Sequence, residues 1–233
     1  MKILGIVCAR AGSRGLKNKN MKLFHGKPLI CWTFEKLKKI KQLDKIIVST
    51  DDDNIIKLAK KNKIDVIFKR PKYLSDSNSS KIDVWRHAHK KAQIFYNTKF
   101  DAVFDIDCSN PMQKLSSIKK LLSWSLDKFN TNQDFDISLF VSKSRKSPYF
   151  NMFEKKNNYF KLSKNIGVIN SRQSSPIVYD HVAGSYFILN HFLESKKYLN
   201  KSKVIGYEIK RNESFDIDDI LDFNICYKLY KDK

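Results

Sequence analysis

Residues 3–20 read ILGIVCARAGSRGLKNKN, and the way this stretch divides decides the fold. Its first six residues are a continuous apolar run of strand length, the pattern of a strand buried on both faces. Residues 10–20 then form a polar loop with two glycines, a serine and four basic side chains. Pro28 opens an amphipathic helix with Leu29, Trp32, Thr33, Leu37 and Ile40 at helical spacing.

Outward from this unit the alternation repeats. Apolar runs at 46–50, 65–68, 102–106, 137–141, 185–189 and 204–209 read as strands. Helical patterns start at 51–54 and cover 82–95, 116–129 and about 218–230. Strands alternating with helices predict an α/β fold with a mainly parallel sheet covered on both faces. The rhythm breaks over 142–181, where Lys, Asn, Ser and aromatic residues dominate. Short alternating pieces at 149–153 and 159–162 predict hairpins projecting from the sheet. A single domain is expected over 1–233, with 142–181 as an excursion within it.

Composition narrows the function. The chain has 233 residues with 45 Lys+Arg against 24 Asp+Glu, a formal charge of +21. At 42% hydrophobic and 12% aromatic residues it is too apolar to be a disordered chain. No apolar run approaches the roughly 20 residues that span a bilayer. The apolar start ends at Arg10, too early for a signal peptide, so cytoplasmic sequence is expected. Cys8, Cys31, Cys108 and Cys226 stand singly in apolar surroundings and read as buried thiols. A basic surface of this size could serve a nucleic acid. Only seven of the 45 basic residues are arginine, however, and the lysines are spread along the chain with abundant Asn and Ile. All three residue types have A/T-rich codons, so genomic bias accounts for the excess, and neither a nucleic-acid nor a membrane partner is expected.

Two constellations can carry chemistry. In 10–20, Gly12, Ser13 and Gly15 let backbone N–H groups approach a ligand, and Arg10, Arg14, Lys17 and Lys19 surround the turn with positive charge. Ligands of open α/β sheets bind at the carboxyl ends of strands, where this loop falls. A phosphate is one reading and a solvated loop the other; the dinucleotide and Walker patterns are both absent. In SFDIDD at 214–219, strand alternation puts Asp216 and Asp218 on one face. Two hard oxygen donors suit Mg²⁺, which keeps waters and recruits phosphate oxygens. The other reading is that Asp218 or Asp219 caps the last helix. Together, a cationic turn and an acidic pair are the minimum for handling a nucleoside triphosphate with a metal.

The stretch at 6–20 followed by Gly26-Lys27-Pro28-Leu29 resembles the N-terminal signature of the acylneuraminate cytidylyltransferases, approximately ARxGSKGxxxKN and then GKPL. The likeness runs on through IIVSTDDDNI, Arg70-Pro71 with 75–80, DIDCSNP, Arg172-Gln173 with Pro176, and FDID at 215–218. Within that family the chain is most similar to the branch activating legionaminic-acid-type sugars.

This resemblance implies a three-layer α/β/α Rossmann-like nucleotidyltransferase fold, with 142–181 as a dimerisation arm capping the partner's active site. It implies transfer of CMP from CTP to a nonulosonic acid, with Mg²⁺ and release of pyrophosphate, by a homodimer. By position, Arg10, Arg14 and Lys19 would be catalytic. Arg10, Ala11, Gly12, Ser13, Arg14 and Asn20 would hold the nucleotide, with Ser80, and Ser79 beside it, at the cytosine or ribose. Asp107, Arg172 and Gln173 would face the sugar acid, and Asp216 and Asp218 would bind the metal. The sequence departs from the family pattern with Arg14 for Lys, Ala11 for Gly, Asp107 for Gln, Gln113 for Arg and Val182 for Asn. No histidine falls in the basic loop or beside the acidic pair, so no general base is assigned, and surface or packing roles are read for all five.

Overall fold

The computed structural model describes residues 1–13, 15–76, 78–168 and 171–230. In chain order its strands are β1 (Ile3–Cys8), β2 (Leu23–Phe24), β3 (Lys27–Pro28), β4 (Lys45–Ser49), β5 (Ala102–Ile106), β6 (Ile137–Lys143), β7 (Phe153–Lys156), β8 (Tyr159–Leu162), β9 (Tyr179–Leu189) and β10 (Val204–Glu208). The α-helices are α1 (Leu29–Lys38), α2 (Asp53–Lys61), α3 (Lys81–Tyr96), α4 (Leu115–Asn130), α5 (Asn190–Glu194) and α6 (Ile220–Leu229).

The central sheet has the order β10-β6-β9-β5-β1-β4. All neighbours run parallel except β9, which is antiparallel to both β5 and β6. Period-two alternation sends successive side chains of each strand to opposite layers. Ile3 and Val7 of β1 join α1, α2 and α4 in one core, while Leu4 and Ile6 join α3 and α5 in the other. The result is the expected three-layer α/β/α arrangement.

A tight turn connects β2 to β3, where His25 and Gly26 both have positive φ, 45° and 84°. Paired positive-φ residues are what a two-residue hairpin needs. This turn delivers Pro28 to the start of α1.

Three elements differ from expectation. Residues 65–68 contribute one bridge, Ile47 to Asp65, rather than a strand. The chain leaves the edge after that contact and returns only where Arg70 N–H donates to the Thr50 carbonyl at 2.8 Å. β9 begins at Tyr179, because residues 179–182 pair with β6 across a register shift at Leu139/Phe140. The projecting excursion is correspondingly shorter at its base than 142–181, since Ser142 and Lys143 pair with Asp180 and Tyr179. Within it β7 and β8 form an antiparallel hairpin, and all eight strand residues are exposed.

Candidate active site

A third, smaller apolar cluster joins the two constellations singled out above. Leu16 from the basic loop and Ile217 from the acidic segment are both buried against Phe24, Leu29, Trp32 and Phe223. Ile217 is fully buried, so alternation leaves Asp216 half-buried and Asp218 exposed beside the loop. The backbones meet as well: a Cβ built on Gly15 would lie 2.2 Å from the Asp218 carbonyl oxygen. Lys19 closes the junction, donating to the Ile217 carbonyl at 2.6 Å with its ammonium 3.5 Å from Asp218 Oδ1.

The loop itself is braced at its entry and exit. Ala11 N–H donates to Asp51 Oδ1 at 2.9 Å, and Asn20 Nδ2 donates to the Arg10 carbonyl at 3.2 Å. The acidic segment is held from below, where Ile217 N–H donates to the Ser109 carbonyl at 2.7 Å in the loop after β5. Asp219, with Asp222 at the reciprocal position, forms the capping box of α6. The capping reading thus holds at Asp219, and neither Asp216 nor Asp218 serves as that cap. Burial, and then the neighbouring Asp218 charge, pushes the Asp216 carboxyl above the usual range.

Beside this junction a cavity of about 250 Å³ opens at the carboxyl ends of β1 and β5. Cys8, Arg10, Arg70, Ser79, Lys81 and Asp107 line it. Ser79 therefore faces the cavity, while the Ser80 hydroxyl accepts from Ile82 N–H as the cap of α3. Cys8 is half-buried at the cavity wall rather than buried as expected, and burial pushes its thiol well above the usual range, away from the reactive thiolate form.

Arg10, Ser79 and Asp107 thus meet at one cavity, adjoining the junction of Lys19 with Asp216–Asp218. Ala11 and Gly12 are exposed and Ser13 half-buried on the same loop. Arg14 lies outside the described residues. Arg172 and Gln173 are not brought to this place; they sit exposed on a single turn of the excursion, where Arg172 donates to the Ser144 carbonyl at 3.3 Å. Two departures from the family pattern have structural roles. Val182 is buried in the core. Gln113 is buried, accepts from the Ser185 hydroxyl at 2.8 Å, and occupies the space a side chain at Gly184 would need.

Sequence reading gave no role to Lys81 or Asp105 and placed Arg70 only within the family resemblance. Arg70 is buried and bonds back to Ser49 through its Nε at 3.0 Å while lining the cavity. Lys81 bridges Asp105 and Asp107, with Nζ–Oδ2 distances of 2.7 and 2.6 Å. The signal was present in AVFDID at 102–107: a carboxylate inside a continuous apolar strand, and a second two residues on, facing the same side. Burial raises the Asp105 carboxyl, whereas at Asp107 the effect of Lys81 outweighs burial and lowers it.

A mostly parallel sheet with one reversed strand, carrying a basic loop at the end of β1 against an acidic pair, defines a nucleotidyltransferase. The chain belongs to the cytidylyltransferase family, whose family model matches residues 4–231. It is 33% identical over 236 residues to post-translational flagellin modification protein B of Campylobacter coli, covering 99% of this chain and 96% of that one. It is 32% identical over 224 residues to the CMP-N,N'-diacetyllegionaminic acid synthase of Campylobacter jejuni, covering 96% and 92%. Among solved structures, a CMP:2-keto-3-deoxy-manno-octonic acid synthetase complexed with CTP superposes with a TM-score of 0.71 over 98% of both chains, at 16% identity. At that identity the likeness is one of fold.

Proposed function

We propose that the protein transfers CMP from CTP to the anomeric hydroxyl of a nonulosonic acid of the legionaminate or N-acylneuraminate type, releasing pyrophosphate. The observation that carries this reading is the junction of basic loop and acidic pair at Gly15–Asp218, beside a cavity holding Arg10, Ser79 and Asp107. The full-length similarity to a CMP-N,N'-diacetyllegionaminic acid synthase supports the choice of acceptor.

In this reading the hydroxyl oxygen attacks the α-phosphorus in line and gives up its proton to solvent, the bond to the bridging oxygen of the β-phosphate breaks, and pyrophosphate leaves. Such chemistry is mostly positioning and charge neutralisation. Arg10, Arg14 and Lys19 neutralise the triphosphate and the departing pyrophosphate. Ala11 keeps its N–H on Asp51, so the Gly12 and Ser13 N–H groups and the Asn20 side chain orient the phosphates, and Ser79 with Ser80 lies at the nucleoside. Asp107, with Arg172 and Gln173 of the arm, faces the sugar acid.

Asp216 and Asp218 fit Mg²⁺. They offer two hard oxygens and leave other positions to water and phosphate; burial, and then the Asp218 charge, raise the Asp216 carboxyl, and a cation would favour its ionised form. A bound ion would neutralise charge at the phosphates and make the acceptor hydroxyl more acidic.

The arm is proposed to form a homodimer. Phe153, Tyr159 and Phe160 are 57%, 74% and 67% exposed on the β7–β8 hairpin, an apolar surface suited to a second copy. A partner's arm would bring Arg172 and Gln173 to the site that their own subunit does not reach. No helix among the described residues is long and apolar enough to cross a membrane; use of CTP and four free cysteines fit a cytoplasmic enzyme.

The test is a panel of sugar acids, including legionaminate, N-acetylneuraminate, pseudaminate and Kdo types, each incubated with CTP and Mg²⁺. Pyrophosphate release with a legionaminate or N-acylneuraminate acid supports the reading. Turnover with Kdo or pseudaminate alone would reassign the acceptor.

A further inference from the structure

Asp105 places a carboxyl group in the middle of an apolar strand. Its side chain is fully buried in β5, and its one close counter-ion, Lys81, is shared with Asp107. Side-chain exposure is 31% for Lys81 and 24% for Asp107, so the cluster is open to the cavity at one end only. A buried ion cluster is a poor source of stability, because packed apolar side chains of similar volume do as well or better. Its presence in a strand otherwise made of Ala102, Val103, Phe104 and Ile106 calls for another account.

The geometry around Asp107 supplies one. Its backbone N–H donates to the Gly184 carbonyl at 2.5 Å, and its own carbonyl accepts from Thr33 Oγ1 at 3.4 Å. Oδ2 is taken by Lys81, while Oδ1 has only a long contact, 3.4 Å, from Ser109 N–H. The Lys81 ammonium is seated in turn, 4.5 Å from the Tyr186 ring centre and 5.6 Å from that of Trp85. Those contacts hold it against β9 and α3. One carboxylate oxygen of Asp107 is therefore fixed in place and spare, at the rim of a cavity whose other charged groups include Arg10 and Arg70.

We infer that Lys81 is a positioning residue for the acceptor: with Asp105 as its buried anchor, it holds Asp107 so that the spare oxygen accepts an N–H or O–H from a substituent of the sugar acid. The inference rests on the proposed function, in which Asp107 faces the acceptor. It adds the chemistry of selection. The spare carboxylate oxygen is an acceptor, which suits a donor such as an amide N–H or hydroxyl at that point.

Replacing Lys81 alone strands two carboxylates in the core and risks unfolding. The informative variant is therefore Lys81→Met with Asp105→Asn, which removes the anchor pair together and leaves Asp107 in place. Melting and circular dichroism establish that it folds. Steady-state kinetics then separate the substrates: KM for the acceptor is expected to rise about tenfold or more, with KM for CTP changed by less than about twofold. Preference for an acid bearing the N-acyl donor over its deoxy analogue is expected to collapse in the same variant. A folded double variant with unchanged acceptor KM and preference would overturn the inference, as would a rise confined to the KM for CTP. If wild type makes no CMP-sugar with any acid, the acceptor reading itself fails; an active wild type with an unaltered double variant sinks this inference alone.

Discussion

Gly15 and Asp218 are 203 positions apart in sequence and in backbone contact, so close that a methyl group on Gly15 would sit 2.2 Å from the Asp218 carbonyl oxygen. Nothing but hydrogen fits there. The contact sets the spacing between the cationic loop and the acidic pair. Gly15→Ala is therefore expected to move Asp218 away from the loop and to lower kcat about 100-fold, the scale of an ångström-sized misplacement. Kinetics at saturating CTP and acceptor check it; wild-type turnover would mean that the spacing is immaterial.

The neighbouring aspartates have separable duties. Asp218 is exposed and does not cap α6, so Asp218→Ala is expected to nearly abolish turnover with the melting temperature retained. Asp219 is the cap, and Asp219→Ala is expected to cost about 1 kcal/mol of stability. A chemical denaturation curve beside a rate measurement distinguishes the two variants. Full activity in Asp218→Ala with Mg²⁺ present would remove the metal assignment.

Asp216 carries a stability cost that its proposed role as a metal ligand explains. Its carboxyl is raised in the fold by burial and by Asp218, so protonation favours the folded state. Above the ordinary carboxylate range the ionised group therefore works against folding, and Asp216→Asn is expected to melt higher than wild type at about pH 7. The advantage should fade as pH falls below that range, where the carboxyl is protonated in both states. Mg²⁺ should raise the wild-type melting temperature and leave that of Asp216→Asn nearly unchanged. Thermal scans with and without the ion read both effects.

The arm offers a test of assembly. Phe160→Lys places a charge on the exposed hairpin without touching the core, so the subunit should fold normally. Sedimentation is expected to find a monomer where wild type is a dimer, with activity lost because Arg172 and Gln173 no longer reach a site. A wild type that sediments as a monomer would refute the proposed assembly.

Parts of this account were legible in the sequence because they are local. Ile3–Cys8 and Ala102–Ile106 read correctly to the residue, since strands buried on both faces leave continuous apolar runs. Pro28 marked the start of α1, and FDID held the alternation that leaves Asp216 and Asp218 beside a buried Ile217. What the sequence hid is relational. The reversed direction of β9 leaves no mark in an apolar run such as SYFIL. Tyr179, Asp180 and His181 look like loop residues because their strand pairs only with β6. Lys81, beginning a helix, gave no sign of its two carboxylates, which arrive from β5 some twenty-five positions later. Gln113 stood out only as a replacement for the family's Arg, and its place as the wedge beside Gly184 shows only in the fold.

The central claim is that the Gly15–Asp218 junction transfers a cytidylyl group to a sugar acid. Its most direct test is the balance of products from CTP, Mg²⁺ and a nonulosonic acid, with CMP-sugar and pyrophosphate measured in the same reaction. The two should appear in equal amounts, only when the acid is present, and not with Asp218→Ala. Pyrophosphate and free CMP without CMP-sugar, or no turnover of CTP with any acid, would contradict it.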